Sequence, residues 1–272
     1  MPELPEVETV CRDLQKKILG VSVDHVRIYD GRVVRIPSPE DFVKRLRAKT
    51  VAAVSRRGKA LIIQLHPGGD FLVVQMMMTG QMIVCSGPQK GRYTKVVFKL
   101  SNGKYLHYND QRLFGRLAVV ADLDMIPYFA ALGPEPFSRQ FSCDYLRQAL
   151  KNRKAPVKTL LLDAKIVAGI GNIYASEILY DCGLNPCSPS GQLSGRDIEA
   201  LWTSIRRILK RAVEARGTSV YSYRDAEGRR GGYKDFLKVY GRDNRACYHC
   251  GYFIKKIIQG GRSTFFCPTC QR

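Results

Sequence analysis

The feature that most constrains the fold is a pair of CxxC motifs near the C-terminus. They read Cys247-Tyr-His-Cys250 and Cys267-Pro-Thr-Cys270, separated by sixteen residues. Two such pairs at this separation are typical of a zinc site with four thiolate ligands. A redox-active motif needs only one pair, and four thiolates leave no open position for a reactive water. The spacing therefore predicts one structural Zn²⁺, with His249 as a bystander.

The residues between the two pairs predict a β-hairpin. Two apolar stretches, "FIKKII" and "TFFC", flank the turn sequence "QGGR". This arrangement places Arg262 at the tip of the hairpin. The last 30 residues or so are expected to form a separate small module.

The charge of the chain indicates a polyanionic partner. Its 272 residues carry 44 Lys and Arg against 24 Asp and Glu, a net charge of +20. An excess this large repels itself in a compact fold, which makes a merely solvated surface the weaker explanation. The cations are spread along the chain and not gathered in a tail, as expected of a folded phosphate-binding face.

Other compositional features indicate a soluble, intracellular protein. The hydrophobic fraction is 45%, which is enough for a packed core. No window approaches the roughly 18 apolar residues of a membrane span, and the N-terminus lacks a secretory pattern. The five cysteines outside the motifs have no ligand spacing and are expected to be reduced thiols.

The first ten residues, "MPELPEVETV", raise the question of a reactive N-terminus. Apolar residues recur at helical spacing and predict a helix over residues 3 to 19, with Pro5 in its first turn. Removal of Met1 would leave Pro2 with a free secondary amine beside Glu3. At the positive end of a helix dipole a neutral amine and a carboxylate are favoured. Pro2 and Glu3 are therefore a candidate catalytic pair.

The rest of the chain changes character at "GPEP", residues 133 to 136. Before it, short β-branched and aromatic segments separated by turns predict a β-sandwich or barrel over residues 21 to 120. After it, helical periodicity is present at four places. These are residues 142 to 151, 156 to 165, 172 to 182 and 194 to 216. A polar, Gly-rich stretch, 217 to 235, predicts a long loop, and loops of this length inside a compact domain are usually functional or disordered.

A second motif, "VAGIGNIYASEIL", places Gly169 and Gly171 before a helix. Tyr174 stands where a dinucleotide fingerprint needs its third glycine, and a Walker sequence is absent. Two interpretations remain. The turn presents helix N-terminal amides and Asn172 to a phosphate, or it is a plain connection between helices.

Two further stretches have both an ordinary and a functional interpretation. "SRRGK" carries Lys59 and could be a solvated turn. "MMMTG" and "NDQRLFG" end strands with Met78, Arg112 and Phe114. Met and Phe more often belong to a core, but apolar tips beside cations also unstack the bases of duplex DNA.

Together these segments resemble bacterial formamidopyrimidine-DNA glycosylase over essentially the whole chain. The resemblance rests on "MPELPEVETV", "RRGK", "GPEPF", "GIGNIYASE", "VYGR" and "GGRSTFFCPTCQ". It implies an α+β fold: an N-terminal helix and β-sandwich domain, a helical domain with a helix-two-turns-helix element, and a β-hairpin zinc finger. The corresponding boundaries are 1–132, 133–240 and 241–272.

The resemblance also implies roles for individual residues. Pro2 matches the family's nucleophile, which attacks C1′ of a damaged nucleotide, and Glu3 matches the acid at the sugar. Lys59 matches a lysine that assists β-elimination, and Arg262 matches the finger arginine that grips phosphate and serves δ-elimination. Asn172 fits the phosphate-binding turn.

The expected DNA contacts come from the same resemblance. Met78, Arg112 and Phe114 match the trio that fills the gap left by a flipped base. Arg153 matches a DNA-binding cation, and residues 217 to 235 match the loop that caps the lesion.

Some positions differ from the family pattern. Tyr93 stands where the family places a histidine near a DNA strand, and Met76 and Met77 replace a His-Leu pair. Gln111 and Leu113 replace a proline and a second basic residue. These differences concern the details of DNA contact and leave the chemistry intact.

The implied function is base-excision repair of oxidised purines, 8-oxoguanine and formamidopyrimidines, in duplex DNA, followed by strand cleavage as an AP lyase. The resemblance further implies a monomer that associates with the bacterial nucleoid in the cytoplasm, without contact to a membrane. Two alternatives stay open. One is an endonuclease VIII-like preference for oxidised pyrimidines, which Leu4 disfavours. The other is a damage-binding zinc protein without catalysis.

Overall fold

The computed structural model describes all 272 residues, Met1–Arg272. It divides into two compact units. The first consists of Met1–Ala130 and Val213–Lys234, and the second of Ala131–Ala212 and Asp235–Arg272. None of the helices combines the length and apolar character needed to cross a membrane.

The first unit contains the helices and strands of the N-terminal half. In chain order they are α1 (Leu4–Ile18), β1 (Val23–Ile28), β2 (Val34–Ile36), α2 (Pro39–Leu46), β3 (Thr50–Arg57), β4 (Ala60–His66), β5 (Phe71–Gln75), β6 (Gln81–Cys85), β7 (Thr94–Leu100), β8 (Tyr105–Asn109), β9 (Arg116–Val120) and α3 (Pro127–Ala130).

Helix α1 confirms the predicted N-terminal helix. Pro5 lies in the first turn, where its missing N–H leaves no hydrogen bond unmade. Val7, Val10 and Leu14 form the buried stripe, and Lys16 lies in the last turn, where a cation suits the helix dipole.

Two sheets form the predicted β-sandwich. One has the order β1-β7-β8-β6 and the other β2-β9-β5-β4-β3. Alternate residues of each strand face the core between the sheets, as with Leu61 opposite Val74 and Ile63 opposite Leu72. Val73 and Ala60 point the other way and belong to a smaller apolar cluster on the outward face of the five-stranded sheet.

The second unit is helical and carries the hairpin. Its regular elements are α4 (Cys143–Leu150), α5 (Val157–Leu161), α6 (Asn172–Asp181), β10 (Lys255–Gln259), β11 (Arg262–Phe266) and most of α7 (Gly195–Glu214). Helices α4, α6 and α7 agree with the periodicity to within one or two residues. The helix predicted over 156 to 165 is shorter, because the Asp163 side chain accepts a hydrogen bond from the Lys165 N–H at 3.0 Å and stabilises a turn in its place.

The polar stretch after α7 is irregular, as predicted. Between Glu214 and the short 3₁₀ turn at Tyr233–Phe236 the chain forms no helix or strand. A single bridge between Thr218 and Gly232 closes the loop, which belongs to the first unit.

Candidate active site and nucleic-acid interface

The start of α1 is buried and held by Glu6. Pro2 and Glu3 are buried, and Glu3 is the N-cap of the helix. The Glu6 carboxylate accepts one hydrogen bond from the Glu3 N–H at 2.7 Å and another from the Thr218 N–H at 2.7 Å. One buried carboxylate therefore joins the N-terminus to the first residues of the long loop.

The terminal amino group lies in an environment that favours its neutral form. Burial lowers the pKa of the Met1 α-amino group, Glu3 and Glu6 raise it, and the Lys59 and Arg112 cations lower it, with a net decrease. A neutral amine retains its lone pair, which is the condition for nucleophilic attack. The Pro2 nitrogen, one residue along the chain, is an amide while Met1 is present.

Lys59 is placed by the hairpin that joins β3 to β4. Gly58 has φ +57°, a backbone conformation that glycine adopts without strain, and it turns the chain directly before Lys59. The Lys59 N–H donates to the Tyr128 hydroxyl oxygen at 2.9 Å. The pairing of Arg57 with Ala60 and this hydrogen bond therefore fix the backbone that carries the Lys59 side chain.

The three residues predicted to fill the gap of a flipped base are exposed and belong to the first unit. Met78 is 36% exposed and Phe114 is 48% exposed. The Arg112 guanidinium lies 4.7 Å from the centre of the Phe114 ring, a cation–π contact. Neither Met78 nor Phe114 belongs to the core, so the ordinary interpretation as core residues does not hold for them.

A buried carboxylate, Asp110, shapes the loop that carries Arg112 and Phe114. It accepts hydrogen bonds from the Arg112 N–H at 3.2 Å and from the Gly115 N–H at 2.8 Å. A side chain at Gly115 would collide with the Tyr108 hydroxyl group. Exposed side chains on this loop are therefore presented by a rigid backbone.

The backbone of Tyr93 is hydrogen-bonded to the start of the loop that carries Arg112 and Phe114. Its carbonyl accepts a hydrogen bond from the Asp110 N–H at 2.9 Å, and its side chain is exposed. The Arg92 guanidinium lies 5.5 Å from the centre of the Tyr93 ring. An aromatic residue with a cation beside it occupies this position.

In the second unit, the residue that starts α6 meets the start of β11. Asn172 donates from Nδ2 to the Ser263 carbonyl at 2.8 Å. The Lys158 ammonium, which is buried, donates to Asn172 Oδ1 at 2.7 Å and to Thr264 Oγ1 at 2.7 Å. A buried cation therefore links the turn before α6 to the strand that begins with Arg262.

The hairpin has the geometry expected from its sequence. Gly260 and Gly261 both have positive φ, +56° and +71°, as a tight two-residue turn requires. Arg262 is exposed and pairs with Gln259 across the turn.

Arg153 is exposed just beyond the end of α4 and takes no part in the Lys158 cluster. Its carbonyl accepts a hydrogen bond from the Gly191 N–H at 2.9 Å.

The four predicted zinc ligands converge. The sulfur atoms of Cys247, Cys250, Cys267 and Cys270 all lie within 4.8 Å of one another. Two of the separations are 3.5 Å and 3.9 Å, far longer than a disulfide. A tetrahedral zinc site with Zn–S bonds of about 2.3 Å has sulfur atoms about 3.8 Å apart. The donor set fits one structural zinc ion, as predicted.

Four residues that position the sites carry no strong signal in the sequence. They are Glu6, Asp110, Lys158 and Glu177. The Glu177 carboxylate accepts hydrogen bonds from the N–H groups of Lys238, Val239 and Tyr240 at 2.8 to 3.0 Å, and burial raises the pKa of its carboxyl. Glu6 and Asp110 have a local signal, because Glu6 is the N3 residue of a capping box and Asp commonly accepts hydrogen bonds from the backbone of a following turn.

Comparison with known proteins identifies the family. Three family models match in order: the formamidopyrimidine-DNA glycosylase N-terminal domain over residues 1–117, its H2TH domain over 132–223, and a zinc finger found in FPG and IleRS over 246–272. The chain belongs to the formamidopyrimidine-DNA glycosylase family. It is an enzyme of the DNA glycosylase and AP lyase class, and acts in base-excision repair.

Individual relatives agree over their whole length. The formamidopyrimidine-DNA glycosylase of Pelotomaculum thermopropionicum is 42% identical, with 100% of this chain and 99% of the relative covered. The crystal structure of the Thermus thermophilus protein has a TM-score of 0.90 at 36% identity, covering 99% and 98% of the two chains.

A third structure contains DNA. Wild-type Lactococcus lactis Fpg, in complex with DNA containing N7-benzyl-Fapy-dG, has a TM-score of 0.92 at 34% identity over 100% of both chains.

Proposed function

We propose that this enzyme excises oxidised purines, 8-oxoguanine and formamidopyrimidines, from duplex DNA and then cleaves the strand at the abasic site. The observation that carries the proposal is the start of α1, where Pro2 and Glu3 are buried and the Glu6 carboxylate accepts a hydrogen bond from the Glu3 N–H at 2.7 Å. The DNA-bound relatives from Lactococcus lactis and the net charge of +20 support duplex DNA as the substrate.

In the proposed reaction Pro2, freed of Met1, supplies the nucleophile. Its secondary amine attacks C1′, the bond from C1′ to the base breaks, and the base leaves with that electron pair. The nitrogen then loses its proton, and the C1′–O4′ bond breaks as the ring oxygen is protonated. The product is an iminium, which is cationic at every pH because its nitrogen carries no proton. The iminium acidifies C2′, so loss of a C2′ proton expels the 3′ phosphate, and a second elimination expels the 5′ phosphate.

Other residues have supporting roles in the proposal. Glu3 protonates the sugar oxygen, Lys59 assists the first elimination, and Arg262 grips backbone phosphate during the second. Asn172 and Arg153 bind phosphates. Buried Glu6 holds the Glu3 N–H, which supports a fixed approach of the N-terminus.

The first unit also supplies the residues that we propose replace the flipped base. Met78 and Phe114 fill the gap and offset part of the few kcal/mol that flipping costs. Arg112 faces the unpaired base with donors only, which suits the O2 and N3 acceptors of cytosine better than adenine. Tyr93 contacts the DNA nearby, and residues 217 to 235 cap the lesion.

We propose the functional division 1–132, 133–240 and 241–272, and a monomer that works in the cytoplasm at the bacterial nucleoid. The family models, which match 1–117, 132–223 and 246–272, support the division. Size-exclusion chromatography with light scattering tests the monomer.

Borohydride trapping tests the chemistry. The protein is incubated with duplexes carrying 8-oxoguanine or thymine glycol, and borohydride reduces any iminium to a stable adduct. The proposal predicts a covalent adduct that forms faster with 8-oxoguanine. Faster trapping on thymine glycol would favour the endonuclease VIII-like alternative, and no adduct on either duplex would favour a binding protein.

Two variants sharpen this test. Glu3→Gln should lose base excision, and full excision by this variant would contradict the role of Glu3. Phe114→Ala should slow excision from duplex DNA far more than cleavage at a preformed abasic site, where no base is extruded. A third variant, Arg112→Ala, should reduce the preference for 8-oxoguanine opposite cytosine over adenine.

A further inference from the structure

A cavity opens on the outward face of the five-stranded sheet, within the first unit. Its volume is about 460 Å³, and strands β2, β5 and β9 form its floor. The segment 126–128, which leads into α3, forms one wall. None of the residues assigned above to catalysis or DNA binding lines it.

Strand register explains why the floor has a polar edge and an apolar centre. Gln75 lies opposite Arg116, at the end of the sheet where β5 leads to Met78. The next outward pair is Val73 opposite Ala118, and Ile36 lies beside Ala118 on β2. Because side chains alternate along a strand, these residues share the outward face in two adjacent rows.

The polar edge carries two unpaired positive charges. Arg35 and Arg116 line the cavity and are exposed, and neither forms an ion pair. No Asp or Glu lines the cavity. The two guanidinium groups therefore disfavour a cation or a purely apolar ligand, and an anion bound between them would relieve their repulsion.

The wall opposite is apolar and aromatic. Ile126, Pro127 and Tyr128 form it, and Tyr128 packs edge-on against Phe129 with ring centres 5.5 Å apart. A flat, partly apolar group fits between this wall and the Val73–Ala118 row. A volume of about 460 Å³ lies within the range of about 300–1,000 Å³ that small-molecule pockets occupy.

We propose that this cavity binds a nucleotide unit. The phosphate lies between Arg35 and Arg116, the base lies on the apolar floor against Tyr128, and Gln75 hydrogen-bonds the polar edge of the base. The occupant is either a free deoxynucleoside monophosphate or one nucleotide of a DNA strand, since both have this chemistry. The proposal concerns binding alone and stands independently of the catalytic roles proposed above.

A ligand bound in the cavity would affect the candidate active site through one hydrogen bond. The Tyr128 hydroxyl oxygen accepts the hydrogen bond from the Lys59 N–H. A ligand that moves the Tyr128 ring therefore changes the support of Lys59.

Isothermal titration calorimetry with 2′-deoxyguanosine 5′-monophosphate tests the site, with deoxyguanosine and inorganic phosphate as partial ligands. The double variant Arg35→Gln/Arg116→Gln should bind the nucleotide at least tenfold more weakly than the wild type. The matched control is Arg47→Gln/Lys104→Gln, which also removes two positive charges from exposed positions of this unit. Equal binding by the two double variants, or equal binding of the nucleotide and inorganic phosphate, would overturn the proposal.

A second variant tests the cavity itself. Ala118→Leu fills the floor without changing the charge, and circular dichroism and thermal melting verify the fold. It should abolish the contribution of the base, so that the nucleotide binds no better than phosphate. Undiminished nucleotide binding by folded Ala118→Leu would rule out this cavity as the site.

The source of the nucleotide follows from titrations with an undamaged duplex. If the occupant is part of a DNA strand, the mononucleotide competes with the duplex, and the Arg35/Arg116 variant loses more duplex affinity than its control. If the occupant is a free nucleotide, it binds equally well with the duplex present at saturation, and the two double variants bind the duplex alike.

Discussion

The start of α1 in the first unit and the start of β11 in the second are stabilised by buried charges of opposite sign. In the first unit the buried groups are carboxylates, Glu6 and Asp110, which accept hydrogen bonds from backbone N–H groups. In the second, at the start of β11, the buried group is the Lys158 ammonium, which donates to a side-chain amide oxygen, a hydroxyl and a carbonyl. The start of a helix leaves backbone N–H groups without partners in the helix. At the start of β11 the backbone group that Lys158 satisfies is an acceptor, the Ser263 carbonyl, at 3.1 Å. The buried charge therefore follows the backbone groups that need a partner.

The zinc module has a much smaller apolar core than the first unit. The first unit has a large core between two sheets and α1. The core of the zinc module contains only Val239, Cys247, Ile254, Phe265 and Cys267 as fully buried members. A cluster this small does not stabilise a fold on its own, so the second site depends on the metal.

Loss of the metal should have the largest effect of all, because it removes the support of the hairpin in the second unit and leaves the first unit folded. Cys247→Ser removes one of four thiolates, and apparent zinc-binding energies of about 10–16 kcal/mol support modules of this kind. We expect the zinc content to fall from one ion per chain to none, and amide protection to be lost over residues 255 to 266 while the first unit remains folded.

Hydrogen exchange read by mass spectrometry measures this loss. Cys187→Ser is the matched control, because Cys187 is exposed and lies outside the cluster. If the hairpin keeps its amide protection in protein verified to be metal-free, the small apolar core stabilises the zinc module without the metal.

Removal of the buried charge of Glu6 should have the next largest effect. Glu6→Gln keeps the shape but turns an NH₂ group toward either the Glu3 or the Thr218 N–H. One buried donor then lacks an acceptor, which costs about 1–3 kcal/mol. Urea unfolding should show this loss, and the released loop should become more susceptible to proteolysis.

Glu40→Gln serves as the control for Glu6→Gln, since Glu40 is exposed in the first turn of α2. Equal stability of the two variants would show that the Glu6 charge is not what holds the loop.

Removal of the buried charge of Lys158 should affect DNA binding more than stability. Lys158→Met removes a desolvated cation, and the Asn172 bond to the Ser263 carbonyl remains. We expect a stability loss of about 1 kcal/mol, at the low end of the cost of a buried acceptor that lacks its donor, because Asn172 Oδ1 loses the ammonium. The affinity for duplex DNA should fall about tenfold, as Arg262 loses its fixed position.

Fluorescence anisotropy with a labelled duplex measures the effect of Lys158→Met. The exposed Lys154→Met provides the control for a lost positive charge. An equal loss of affinity in both variants would mean that only the net charge matters.

The smallest expected effect is a loss of stability at acidic pH, which we assign to Asp225 in the long loop. Asp225 is buried and accepts hydrogen bonds from Arg216 at 2.6 Å. Burial raises the pKa of its carboxyl, but the bonds from Arg216 and from backbone N–H groups lower it more, so the net pKa lies below the usual 3.8. Below pH 3.8 the unfolded chain binds more protons at this site, so its contribution to stability is present above pH 3.8 and is lost as the pH falls further.

Denaturant unfolding between pH 7 and pH 3 tests this effect. The stability difference between the wild type and Asp225→Asn should shrink as the pH falls toward 3. A constant difference would show that the charge of Asp225 is not the stabilising feature.

Local patterns predicted much of the secondary structure. The α1 stripe, the hairpin turn at Gly260–Gly261 and the two CxxC pairs each depend on neighbours in sequence, and all three predictions are confirmed. Helix α2 was not predicted, although Ser38 caps it and Pro39 begins it, because its eight residues lie inside a region whose dominant pattern is β.

The sequence by itself determined the family, the N-terminal helix, the change from a β-rich to a helical region and the four clustered cysteines, because these follow from residue type and spacing. Only the tertiary structure decided which charges are buried and what they join. Glu6 meets Thr218 across 212 positions, and Lys158 meets Thr264 across 106. The cavity beside Tyr128 likewise exists only after β2, β5 and β9 pair. A hydrogen bond between residues so far apart produces no periodic pattern in the sequence, because tertiary packing, and not the local sequence, decides which residues meet.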